Sequence, residues 1–78
     1  MPLIAKIGKY RLFFFSNEGN EPVHVHVESD DNEAKFWLHP VALGSSVGYT
    51  AYELGGLRRL VEEHRQLVED KWNEHFSH

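Results

Sequence analysis

The chain predicts an α+β fold, an antiparallel meander of three to four strands followed by one long C-terminal helix packed on one face. Three observations carry that reading. Val23, Val25 and Val27 alternate strictly with His24, His26 and Glu28, the period-2 signature of a half-buried strand. Thr50-Ala51-Tyr52-Glu53 has the form of a capping box, in which the Thr50 side chain accepts from the Glu53 N–H while the Glu53 carboxylate reaches back to Thr50. Beyond it Leu54, Leu57, Leu60, Val61, His64, Leu67, Val68, Trp72, His75 and Phe76 recur at helical spacing and form one apolar stripe.

The elements follow in order. Residues 3–7 and 10–16 read as two strands around Gly8-Lys9, where glycine at the first central position suits a type II′ turn. In the second strand Tyr10, Leu12 and Phe14 face one way and Arg11, Phe13 and Phe15 the other. Residues 17–22 are a loop by composition. Strands at 23–28 and 34–39 flank an Asp/Asn turn, and Pro40 ends the second of them, because proline has no N–H to give a ladder. Setting the valines against Ala34, Phe36 and Leu38 predicts the pairs Glu28–Lys35, His26–Trp37, His24–His39, Val27–Phe36 and Val25–Leu38. The strands thus occupy about 3–39, a Gly/Ser-containing connection 40–49, and a single helix about 51–76, all in one domain over 1–78. A helix of that size is about 39 Å long against about 20 Å for a six-residue strand, so it crosses the sheet diagonally or overhangs it.

Composition narrows the function. With 78 residues, eight Lys+Arg against twelve Asp+Glu and a net charge of −4, the chain is too acidic for a general phosphate binder, and RNA is disfavoured as a partner. It has no cysteine, so neither disulfides nor thiolate metal sites staple it. No apolar run approaches the roughly 18 residues of a membrane span, and charges interrupt the first residues at once. A cytoplasmic location, away from membranes, is the expectation.

One helix covers one face of a sheet. The other face is expected to expose Arg11, Phe13, Phe15, His24, His26 and Trp37, with Trp72 and Phe76 at the uncovered helix end. An apolar patch among polar groups marks a partner surface. The primary expectation is therefore a non-catalytic interaction module without a cofactor, paired with itself as a homodimer or with a small partner protein. The alternative centres on histidine chemistry. His24, His26 and His39 would act as acid and base on RNA, or His24, His26, Glu28 and His39 would hold a divalent transition metal, imidazole and carboxylate being a known ligand set. Ligands or catalytic groups converge on one point, whereas partner-surface residues lie splayed over a patch.

Several stretches together resemble the family known as domain of unknown function 4160. These are Phe14-Phe15-Ser16-Asn17-Glu18-Gly19, Glu21-Pro22-Val23-His24-Val25-His26-Val27, Glu33-Ala34-Lys35-Phe36-Trp37-Leu38 and Trp72-Asn73-Glu74-His75-Phe76. Many relatives carry a second proline where this chain has Val23. The resemblance implies a small cytoplasmic bacterial or phage-borne protein, often encoded beside another small protein in a toxin–antitoxin-like arrangement. It supplies no catalytic residues.

Overall fold

The computed structural model describes residues 3–76. Five strands form one antiparallel meander in sequence order: β1 (Leu3–Ile7), β2 (Tyr10–Phe13), β3 (His24–Ser29), β4 (Asn32–Leu38) and β5 (Val41–Val47). Two helices follow, α1 (Ala51–Glu63) and α2 (Arg65–Phe76). The α+β class and the antiparallel meander agree with the sequence reading, while the strand count and the single helix do not.

The extra strand is β5, in the stretch expected to be a connection. It hides from pattern reading because its pairing with β4 is irregular. Lys35 pairs with Ser45 but Phe36 with Leu43, which leaves Gly44 as a bulge. A bulge breaks the two-residue alternation, and glycine is the residue that fits, since a Cβ at 44 would lie 3.1 Å from the Trp37 indole nitrogen and 3.3 Å from the Lys35 carbonyl.

The β3–β4 register also differs from expectation. The observed pairs are His24–Trp37, Val25–Phe36, His26–Lys35, Val27–Ala34, Glu28–Glu33 and Ser29–Asn32, a slip of two residues. The faces survive because an even slip keeps side-chain parity. Asp30-Asp31 closes the hairpin in two residues, with Asp30 at a φ of 52°, a conformation Asp tolerates better than most. The expected Glu28–Lys35 pair is therefore absent. Glu28 bonds Arg11 on β2 at 3.2 Å and Lys35 bonds Glu21 at 2.9 Å. At the first hairpin, positive φ falls at Gly8 and not at Lys9, as a II′ turn requires. β2 ends at Phe13 rather than at residue 16.

The expected long helix bends at His64, whose backbone sits at φ −107° and ψ 14°. Its N–H is shared between the Leu60 and Val61 carbonyls, and its Nδ1–H donates to the Leu60 carbonyl at 2.8 Å. The bend lets α1 pack on β4 and β5 while α2 reaches β1.

The core lies between the helices and one sheet face. Leu12, Val25, Val27, Phe36 and Leu38 meet Leu57, Val61 and Val68 there, all at most 1 % exposed. Phe14 continues this face beyond β2, with its ring 5.3 Å from both Trp72 and Phe76. Truncating Phe14 to alanine should cost about 3–5 kcal/mol, measurable by urea unfolding. The capping box is present in full, with Glu53 N–H to Thr50 Oγ1 at 3.1 Å and Thr50 N–H to Glu53 Oε1 at 2.9 Å. The Thr50 N–H, and then its hydroxyl, hold the Glu53 carboxyl below its ordinary pKa. Thr50→Ala should therefore destabilise the protein by about 1 kcal/mol at neutral pH. The part of that difference owed to the Thr50 hydroxyl beside the Glu53 carboxyl should shrink as acid protonates Glu53, because a carboxyl depressed in the folded state stabilises above its unfolded pKa and loses this as pH falls through the folded one. The stabilisation owed to the Thr50 N–H, which alanine keeps, is lost by parent and variant alike.

Candidate functional site

The face opposite the core is where the fold departs most from the sequence reading. It is not left bare. After Phe14 the chain turns back across the ends of β2 and β3 before entering β3. Phe13 is 2 % exposed, His24 0 %, His26 7 % and Trp72 5 %. Four of the eight residues expected on a partner surface are thus sealed by the protein's own chain. Arg11 is exposed but paired with Glu28, Phe15 is 39 % exposed, and Trp37 and Phe76 are partly covered. The side chains do not spread over a flat patch. Phe13 stacks on His26 at 5.3 Å, and His24 packs edge-on to His26, Trp37 and Trp72 at 5.0–5.4 Å. The covering element is a strap of residues 14–23, of which the sequence reads 17–22 as a plain loop and the rest as strand.

The strap delivers Glu18. It is tightly self-bonded: Glu18 N–H donates to the Phe15 carbonyl, Glu21 N–H to the Glu18 carbonyl, and Phe15 N–H to Glu18 Oε1 at 2.8 Å. Gly19 rests on the Phe76 ring so closely that a Cβ would lie 2.5 Å from it. Lys35, which holds Glu21, sits 4.4 Å above the Trp37 ring. These contacts leave the Glu18 side chain one direction, towards the two histidines of β3.

There Glu18 Oε2 lies 3.0 Å from His24 Nε2 and 3.1 Å from His26 Nε2. The three donor atoms fall within 4.8 Å of one another. Each outer ring nitrogen has its own oxygen neighbour. His24 Nδ1 is 2.9 Å from the Pro22 carbonyl, and His26 Nδ1 is 3.4 Å from Glu33 Oε1. The Pro22 carbonyl only accepts, so His24 Nδ1 carries a hydrogen. In a neutral ring Nε2 then bears a lone pair, aimed at a carboxylate oxygen. That nitrogen is buried and makes no aligned hydrogen bond. Burial pushes the Glu18 carboxyl pKa up, but the Phe15 N–H and the imidazoles of His26 and His24 outweigh it and hold it below its ordinary value. An ionised carboxylate therefore faces two imidazole nitrogens in a largely buried site.

Of the sequence candidates, the structure brings together His24 and His26. Glu28 shares their face but is bonded to Arg11. His39 lies past the last residue of β4 and pairs across to Glu69 on α2 at 2.6 Å. The register explains this: His24 is opposite Trp37, so His39 falls beyond the ladder. The third group is Glu18, which the sequence reading left in a loop. Its only trace there was its place among the stretches that carried the family resemblance. The acid–base reading needs a substrate phosphate against these rings, yet His24 is fully buried. Two clefts, one lined by Pro22, Val23, Trp37, His39, Pro40 and Ala42 and the other by Leu3, Ile4, Phe14, Lys71, Glu74 and His75, lie to either side and include none of the three.

Comparison with known proteins places the chain. A family profile described as "Domain of unknown function (DUF4160)" matches residues 10–73. The protein belongs to this family, and the matched stretch includes Glu18, His24 and His26. No curated protein and no solved structure matches it significantly. Among the described residues no helix is long and apolar enough to cross a membrane.

If the strap is held as described, Glu18→Ala should free it. Proteolysis within residues 15–22 should accelerate at least several-fold relative to the parent, while Glu28→Ala leaves the rate unchanged. Equal rates in both variants would show that Glu18 does not anchor the segment.

Proposed function

We propose that the protein binds one divalent transition-metal ion between Glu18, His24 and His26. The observation that carries this is the convergence of the Glu18 carboxylate, His24 Nε2 and His26 Nε2 within 4.8 Å of one another, with His24 Nε2 buried and without an aligned hydrogen bond. A carboxylate oxygen and an imidazole nitrogen 3.0 Å apart need a proton or a metal cation between or beside them. A proton on His24 Nε2 would leave a buried imidazolium against the carboxylate while His26 donates its Nε2–H to the same group; one divalent ion takes all three donors instead.

The donor spacing supports the reading. Ligands about 2.0–2.1 Å from a tetrahedral zinc stand roughly 3.3 Å apart, close to the 3.0 and 3.1 Å observed. So do the outer nitrogens, because a metal-bound imidazole characteristically donates its remaining N–H to a carbonyl or a carboxylate. The Pro22 carbonyl occupies that place for His24, and Glu33 Oε1 stands 3.4 Å from His26 Nδ1 without an aligned hydrogen bond. Imidazole with carboxylate suits zinc, iron, nickel and copper over magnesium or calcium. Burial of the site favours an ion that ties the strap to β3 over one that meets a large substrate.

Calorimetry on untagged protein with zinc, and visible absorption with cobalt, test the proposal. One ion per chain is expected. Glu18→Gln and His26→Ala should each weaken binding by at least about tenfold, while Glu28→Gln and His39→Ala leave it unchanged. Absence of stoichiometric uptake, or uptake that His39→Ala abolishes and His26→Ala does not, overturns it.

A further inference from the structure

We infer that β5 is an interface between two copies of this chain, joined edge to edge across a two-fold axis. Among the described residues β5 pairs with β4 alone, so one side of its ladder is open. Open edges recruit other strands, and proteins usually blunt them with charge, proline or distortion. The opposite edge, β1, has such protection in Lys6 and a bulge between Leu3 and Ala5. β5 is seven residues long and reads Val-Ala-Leu-Gly-Ser-Ser-Val, without a charge or a proline, and its own irregularity is the single bulge at Gly44, between the Ala42 and Val47 ends. In a chain with a net charge of −4, that uncharged strip is where a second copy approaches with least repulsion.

The two ends of β5 complement each other. Val47 pairs with Glu33 and Ala42 with Trp37. Glu33 and Trp37 share a face of β4 by alternation, so Val47 and Ala42 share it too. At the Val47 end an apolar side chain protrudes, 70 % exposed. At the Ala42 end lies the cleft of about 260 Å³ formed with Trp37, Pro40 and Pro22. Antiparallel pairing of two copies lays the Val47 end of each beside the Ala42 end of the other. Each valine then enters the partner's cleft on the same sheet face, twice by symmetry. Backbone hydrogen bonds supply the affinity and the seated side chain supplies the register, as in strand addition generally. The contact is isologous, so it closes at two copies and does not propagate. It involves none of Glu18, His24 and His26, and it holds whether or not they bind metal.

Light scattering on the full chain should give twice the 9.1 kDa monomer mass. Val47→Lys should raise the dimer dissociation constant at least about tenfold, with an unchanged circular dichroism spectrum, while Leu3→Lys on the β1 edge leaves it unchanged. The absence of cysteine allows a check of direction. Ala42→Cys and Val47→Cys proteins, mixed and treated with a short bis-maleimide, should cross-link to each other. Val47→Cys alone should not, since antiparallel pairing holds its two thiols roughly 15 Å apart. A monomer at millimolar concentration, a dimer split by Leu3→Lys and not by Val47→Lys, or efficient Val47–Val47 cross-linking each overturns the inference.

Discussion

The contact between the Glu18 carboxylate and the imidazoles of His24 and His26 decides how the second face of the sheet is closed. A single helical arm cannot lie on both sides of five strands. It takes the valine face, because that face offers continuous apolar surface and burial of such surface is the main favourable term in folding. The opposite face carries imidazole and aromatic groups that need both cover and polar partners. The strap between β2 and β3 supplies both. Its backbone folds over Phe13 and the two histidines, and its carboxylate meets the ring nitrogens that cover would otherwise strand.

The bend at His64 belongs to the same solution. A straight helix on β4 and β5 would leave the far end of the sheet open. Turning at His64 carries Trp72 and Phe76 to the end where β2 finishes and β3 begins. There Trp72 closes on Phe14 and His24, and Phe76 backs Gly19 of the strap. Glu69 reaches His39 from the same helix. Helix, strap and strand ends thus meet in one aromatic cluster, and the candidate site lies against it. That arrangement explains why a face that looked fit for a partner is mostly interior.

Much of this was legible from residue order. Period-2 alternation located β3 and β4 and put His24 and His26 on the face away from the valines. The capping box located the start of α1 at Ala51, and Gly8 located the first turn. The misreadings share a cause. The β3–β4 register was set by hydrophobic parity, which is blind to a slip of two, whereas the two-residue Asp30-Asp31 turn sets it absolutely. β5 lost its alternation to the bulge at Gly44. His39 entered the candidate set by sharing the strand face of His24 and His26, and the misread register set it opposite His24.

By itself the sequence determined the class of fold, the faces of the strands and two of the three converging side chains, because alternation, capping and turn chemistry act over a few residues. Only the tertiary structure decided that Glu18 completes the group, that Glu28 and His39 do not, and that the aromatic flank is covered from within. Those outcomes depend on where a ten-residue strap comes to rest. Its resting place is set by contacts with Lys35 and Phe76, residues 14 and more than 50 positions away along the chain, and no local pattern encodes a separation of that size.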